Sequence, residues 1–518
     1  MTKDNGKMEL DKVNNRLNLQ AEDRLASDTM SGENTSKDLE NSNINIGMSD
    51  IVTKDEQSNM TNNKKLKTNE QKNGGNFVPL LKNDGVTCPP LQYRPRSTGA
   101  IYGSGYDAET VFDNTRSLKV KKEKVTKDGL EEVDFKKPKP LWLKVTMIVL
   151  TCIFIISGSL GVYYIYLDSG FKRLYNMKYI EVLNEKKSYV VRAQTYEVVT
   201  YNLNYGMFGQ DYTYYKSYGF NSNGGATNGS KTRAKSKEMA EINIKGSAGL
   251  MSTGSNANVE FFMFQEIDVD STRSFYVDER QILKDVLSNY AEVFAETGGS
   301  KYVFYPITSP VGRFNSGMAT YSAFDIEHAI RYSLPSNNKF LSKYTATDNC
   351  AVVVKLGVSG VGEDRQLVLI NINVSQYDDE ETRRKDLEVL YQIMAEEVVE
   401  HGNYVIVGGS YSYLLYGSDG VFENKMKTPS WCGELPNSFN ETRLNEIGCR
   451  IAKDEIAVEL KTGTIRDSSV VYSEGDTFEA ITDGFIVSNN IIIEKVEVLD
   501  NDYLYSSHNP VRLTFKLK

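Results

Sequence analysis

Between Val145 and Leu167 the chain reads VTMIVLTCIFIISGSLGVYYIYL without one charged residue. A helix needs about 20 apolar residues to cross bilayer hydrocarbon about 30 Å thick, and this run meets that length. A buried core helix seldom carries so long an uncharged run, and a cleavable signal stands at the extreme N-terminus. The expectation is a signal anchor, a single membrane-spanning helix over 145–167. Trp142 on one side and Tyr163, Tyr164 and Tyr166 on the other occupy the places of interfacial aromatics. Lys136, Lys137, Lys139 and Lys144 crowd the N-terminal flank, against Lys172 and Arg173 close to the other. That excess favours the N-terminus inside the cell membrane and the C-terminal domain outside.

The anchor divides the rest of the chain. Residues 1–140 are rich in Asn, Ser, Thr, Asp, Glu and Lys, with apolar residues at no steady period. Such a segment buries too little apolar surface to offset its ordering entropy and is expected to be a disordered N-terminal tail, whose partner the sequence does not name. Residues 168–194 read as a juxtamembrane connector. Beyond them, short β-branched and aromatic runs recur at 196–203, 260–267, 301–307, 317–324, 350–358, 366–374, 403–409, 483–488, 491–499 and 511–517. Helical periodicity marks Asp278–Phe294 and Glu381–Val399. The Gly/Asn/Ser-rich stretch between Lys216 and Lys237 reads as a surface loop. This alternation points to a layered α/β domain over 195–518.

Composition narrows the chemistry. A net charge of −9 argues against a surface that coats nucleic acid. Three histidines exclude a histidine-rich metal centre, and five cysteines form neither a disulfide scaffold nor a CxxC zinc pair. Any metal would be a hard, oxygen-liganded ion such as Mg or Mn. Cys432 and Cys449 lie near each other in sequence, but spacing alone decides neither for nor against a disulfide.

Polar residues stand where strands end, the usual place for function in open sheets. Four such ends carry Asn202, Glu266, Ser410 with Ser412, and His508, and the blocks around them run in the order TYNLNYG, MFQEIDVDSTRS, SGMATYS, LININVS, VIVGGSYS, TDGFIVS and YSSHNPVRLTFKL. Seven blocks in this order resemble the endonuclease/exonuclease/phosphatase superfamily, the deoxyribonuclease- and sphingomyelinase-like hydrolases, over roughly 195–518. TDGFIVS and the HNPV ending are similar to bacterial membrane-attached members. The resemblance implies a four-layer sandwich, two packed mixed β-sheets flanked by helices, and a metal-dependent phosphoester hydrolase. It implies Asn202 and Glu266 as metal ligands, His508 as acid/base or charge stabiliser, and Asp483 as the carboxylate that orients it.

Four places depart from the family pattern. Asn373 stands for a histidine, Ser410 for the Asp and Ser412 for the Asn of the G-D-x-N block, and Ser507 for the Asp before the final histidine. Each lost acid/base or electrostatic group typically costs about 10²–10⁴ in rate, and such losses do not simply multiply. Arg233 and Arg273 could meet a phosphate through their guanidinium forks, or serve as structural ion-pair partners. The expectation is a membrane-anchored hydrolase-like protein with impaired catalysis. The alternatives are an active Mg- or Mn-dependent phosphodiesterase or phosphatase, with Asp268, Asp270 or Asp419 replacing the missing carboxylates, and a surface binding or scaffold protein.

Overall fold

The computed structural model describes residues 139–518 apart from 171–173, 175, 254–257, 336–341, 361–363 and 454–461. The expected disordered tail, except for its last two residues, lies outside the described residues. The apolar run forms one helix, Leu141–Asp168, 28 residues long and apolar enough to cross a membrane. Its side chains point outward all round, with Phe154 79% exposed and only Leu167 buried. A core helix of a soluble domain would be covered by its neighbours.

Two mixed sheets follow. One orders its strands Ile491–Val498, Val511–Leu517, Thr195–Asn202, Phe261–Asp268, Gly312–Ser322, Ala291–Val303 and Val182–Leu183. The other runs Lys178–Ile180, His328–Ser333, Cys350–Ser359, Gln366–Asn373, Tyr404–Ser410, Asp483–Ser488 and Cys449–Ile451, with Val190–Val191 beside Cys350–Ser359. Three short strands within 178–191 thus tie the connector into both sheets. Each sheet contains a central parallel pair, Thr195–Asn202 with Phe261–Asp268 and Gln366–Asn373 with Tyr404–Ser410. Parallel neighbours need a crossover connection, and the helices Lys237–Ser252 and Glu380–Ala395 lie in those two connections.

Alternation along the strands builds the layers. Val352 and Val354 face the other sheet and pack with Val198, Phe261 and Phe485. Ala351 and Val353 face away and pack with Leu387, Leu390 and Met394 of the Glu380–Ala395 helix. On the opposite sheet Phe262 and Phe264 point outward onto Ile244, Ala248 and Leu283. Successive side chains leave opposite faces of a strand, and here both faces are covered, so the strands read as continuous apolar runs. The result is the expected α+β sandwich of two sheets between helices.

Several local expectations change. The helix expected over Asp278–Phe294 ends at Val286, and Ala291 opens a strand in which Ala291, Val293 and Ala295 point into the inter-sheet core. Period-2 and period-3.6 patterns overlap there, and pairing with Gly312–Ser322 decides for the strand. The strand expected over 301–307 stops at Val303. Within the Gly/Asn/Ser-rich stretch, Tyr218–Phe220 and Ala226–Asn228 form a two-stranded ribbon. The helix Lys237–Ser252 escaped sequence reasoning because its buried stripe, Ala240, Asn243, Ile244, Ser247, Ala248 and Met251, sets only two large apolar residues among small and polar ones. Cys432 and Cys449 are buried and unpaired, and burial pushes each thiol up to about 12.

Ser236 caps the Lys237–Ser252 helix, its hydroxyl accepting from the Met239 amide at 3.2 Å. Ser236→Ala is expected to lower stability by about 1 kcal/mol, read by urea unfolding of the full chain in detergent micelles.

Candidate functional site

Both parallel pairs end on the same polar cluster. Asn202 closes Thr195–Asn202, Asn373 closes Gln366–Asn373, Ser410 closes Tyr404–Ser410, and Asp483 opens Asp483–Ser488. Register sets Asn373 beside Ser410 and Ser410 beside Asp483. Glycine is required just before Ser410. Gly409 has φ +154°, and a Cβ there would lie 1.9 Å from the Ile372 carbonyl oxygen.

Glu266 reaches the cluster through a bulge. Pairing with Gly312–Ser322 slips between Phe264 and Ile267, and Glu266 adopts φ 58°. A bulge re-aims a side chain at the cost of local strain. The re-aimed carboxylate is held from two sides: Asn373 Nδ2 donates to Oε1 at 3.0 Å and Asn204 Nδ2 donates to Oε2 at 3.2 Å. The Asn204 carbonyl accepts from the hydroxyls of Ser506 at 2.8 Å and Ser507 at 2.6 Å, and from the Ser507 amide at 2.9 Å. Asn202 Oδ1 accepts from the Asn204 backbone at 3.0 Å. Asn204 is therefore the hub. Its only sequence signal was a second asparagine two places after Asn202.

His508 and Asp483 meet, with Nδ1 to Oδ2 at 2.5 Å, both residues buried. The other Asp483 oxygen has no hydrogen-bond partner. Ser412 is buried with φ 53°, and its hydroxyl donates to the Val374 carbonyl at 2.5 Å. Thus Asn202, Glu266, Asn373, Ser410, Asp483, Ser507 and His508 gather at adjoining strand ends, while the Ser412 hydroxyl is turned to the Val374 backbone.

Both arginines have partners within the domain, and Arg273 also lines a cavity beside Glu266. Arg273 is buried and gives Nε and Nη2 to the two oxygens of Asp268, each at 2.9 Å, while its guanidinium carbon lies 3.4 Å from the Tyr205 ring centre. Burial opposes its charge, but Asp268 more than offsets this and raises its pKa. Arg233 donates to the Pro310 carbonyl through Nε and Nη2 at 3.1 and 2.9 Å. The proposed substitute carboxylates are also engaged: Asp268 by Arg273, and Asp270 by Arg313 at 2.6 Å. The Asp419 side chain lies outside the described residues.

Beside the cluster opens a small cavity of about 90 Å³, walled by Tyr205, Tyr214 and Tyr377 with Lys216, Glu266 and Asp378. Burial raises the Tyr205, Tyr214 and Tyr377 hydroxyls, keeping them neutral donors. Burial also raises Asp378, against the opposing charge of Lys216.

The fit to a divalent cation is poor. Both Glu266 oxygens accept amide N–H groups, Asn202 Oδ1 is occupied by Asn204, and among the described residues no three His, Cys, Asp or Glu side chains gather to hold an ion. A Mg ion dehydrates reluctantly and needs oxygens aimed at it, whereas this set aims amide hydrogens at the Glu266 carboxylate.

The fold is a two-sheet α+β sandwich with its polar cluster at joined strand ends. The chain matches no protein-family model and no curated protein. Among solved structures it is similar to an endonuclease/exonuclease/phosphatase from Beutenbergia cavernae, with 13% identity over 62% of this chain and 72% of that one and a TM-score of 0.42. It is also similar to the endonuclease/exonuclease/phosphatase from Bacteroides vulgatus (12% identity, 63% and 100% coverage, TM-score 0.37) and to a family protein from Bacteroides thetaiotaomicron (12%, 63% and 98%, 0.38).

Proposed function

We propose that this chain is a membrane-anchored protein whose phosphoester-hydrolase-like domain is catalytically impaired and serves to bind a phosphoester-containing ligand or partner. One observation carries the reading: the Glu266 carboxylate is bonded on both oxygens by Asn373 and Asn204. A carboxylate so occupied is a weak ligand for Mg or Mn, and without the metal the charge built up in phosphoryl transfer has no Lewis acid to stabilise it. The replacements at Ser410 and Ser507 remove two more anionic groups. In the cell membrane the anchor would run with its N-terminus inside and the domain outside.

The His508–Asp483 pair favours a second reading, an active Mg- or Mn-dependent phosphodiesterase or phosphatase. Both are tested on the full chain in detergent micelles with a chromogenic phosphodiester and either metal. The expected result is no metal-dependent turnover above a blank. Turnover abolished by Glu266→Ala and by His508→Ala would establish the second reading instead. Restoring Asn373→His, Ser410→Asp, Ser412→Asn and Ser507→Asp together is expected to yield metal-dependent turnover. On intact cells, added protease is expected to degrade the domain, and its protection would reverse the orientation.

A further inference from the structure

The end of the anchor helix is fastened to the domain rather than merely joined to it. Asp168 accepts from Lys343 at 2.9 Å and from the Tyr344 hydroxyl at 2.8 Å. Lys301 donates to the Ser169 hydroxyl at 2.8 Å and lies over the Tyr166 ring. One turn earlier, the Tyr163 hydroxyl donates to the Tyr302 carbonyl at 3.3 Å and accepts from the Phe304 amide at 2.9 Å, with the Tyr163 and Phe304 rings 5.6 Å apart edge to face. The chain that leaves the sheet at Val303 is therefore held against the helix.

What that segment presents is apolar. Phe304 is 57% exposed, Tyr305 65% and Ile307 89%. The segment is braced from behind: Arg233 grips the Pro310 carbonyl twice, and the Thr232 and Ser309 hydroxyls lie 2.6 Å apart. An apolar tip held in place costs less ordering entropy on binding than a loose one. An open apolar groove of about 770 Å³ runs from Phe304 along the helix to Phe154.

Height along the helix selects the occupant. Tyr163 precedes Leu167, the end of the uncharged run, by four residues, about 6 Å at 1.5 Å per residue. The run itself is about 35 Å long by the same rise, against hydrocarbon about 30 Å thick. Centred on that hydrocarbon the run overshoots by about 2–3 Å at each end, so the Tyr163 backbone lies about 4 Å inside the boundary. That is within side-chain reach of the level favoured by aromatic residues, and Phe304 is bonded to Tyr163. We infer that Phe304, Tyr305 and Ile307 insert into the interfacial layer of the same bilayer that the anchor crosses, making a second membrane contact that fixes the tilt of the domain. This rests on the anchor reading in the proposed function.

The test uses the full chain reconstituted in phosphatidylcholine vesicles, with lipids brominated high on the acyl chain as quenchers of tryptophan emission. Three proteins are compared: wild type, with Trp142 and Trp431; Trp142→Phe, leaving Trp431 as a reference; and Trp142→Phe with Ile307→Trp, at a site exposed enough to accept the ring. Wild type is expected to lose more emission than Trp142→Phe, which reports the anchor. The Ile307→Trp protein is expected to add a blue-shifted component quenched by shallow bromines more than by bromines near the chain end. If the anchor signal is present and the added tryptophan emits as in water, the insertion is overturned and the anchor stands. Blue-shifted emission without quenching indicates a protein partner or second copy on the patch and also overturns it. If wild type is quenched no more than Trp142→Phe, both readings fall.

Discussion

Arg273→Ala lowers the stability of the domain by about 3–5 kcal/mol, the usual result of breaking a buried ion pair from one side. Asp268 is fully buried, and both its oxygens are held by Arg273. Without the guanidinium it keeps an uncompensated charge near Glu279, itself fully buried and bonded to the Asp268 amide at 2.8 Å. The Tyr205 ring loses the cation stacked on it as well. Arg273→Lys restores only part of the loss, because an ammonium cannot span both oxygens. Pairing Arg273→Met with Asp268→Leu recovers more than either single variant, since no charge then remains unpaired. Urea unfolding of the full chain in micelles reads all of these variants. A cost for Arg273→Ala below about 1 kcal/mol, typical of an exposed pair, would free this arginine for phosphate binding.

Asp386→Asn is expected to stabilise the protein, increasingly so as pH rises. Asp386 is fully buried on the inner face of the Glu380–Ala395 helix, and neither of its oxygens has a hydrogen-bond partner among the described residues. Arg383, one turn earlier, directs its guanidinium to the Ser412 and Trp431 carbonyls and to Glu380. Burial, aided by the charge of Asp378, pushes the Asp386 carboxyl well above the ordinary range. Its proton is kept in the folded state and lost in the unfolded chain above about pH 4. The folded state then binds more protons, so stability falls as pH rises from there towards the folded pKa, by about 1.4 kcal/mol per pH unit for one group. The asparagine has no such slope. Unfolding free energies measured from pH 4 to pH 8 are expected to diverge between wild type and variant, starting nearly equal at pH 4. Parallel curves would mean that Asp386 is ionised in the folded protein. Glu279, raised by burial and by Asp268, contributes a slope of the same sign in both proteins and cancels from the difference.

Much of the fold was legible because its signals are local. The Leu141–Asp168 helix contains a long run without charge, and the Glu380–Ala395 helix buries Leu387, Leu390, Tyr391 and Met394 at the spacing read from the sequence. Reading failed where two periods overlapped, at Ala291–Val303, and where a buried helix face was made of Ala, Ser and Asn. At the site, the positions were legible but their bonding was not. Composition gave Arg233 and Arg273 the same two readings, and only the structure supplied their partners, the Pro310 carbonyl for one and Asp268 for the other. Asn204 drew no notice, although it bonds to Glu266, Ser506 and Ser507.

The uncharged run from Val145 to Leu167 by itself determined that this chain carries a helix able to cross a membrane, and the recurring β-branched and aromatic runs determined where most strands lie. Both follow from covalent spacing along a helix or strand, which sequence records directly. Only the tertiary structure decided the state of the cluster at the strand ends. Asn373 and Asn204 stand 107 and 62 residues from Glu266 in the chain, and they meet it because a bulge turns one carboxylate towards the other sheet. Whether polar groups brought together in this way wait for a ligand or bond to one another depends on distances of a few tenths of an ångström. The stacking of two sheets sets those distances, and no spacing in the sequence encodes them.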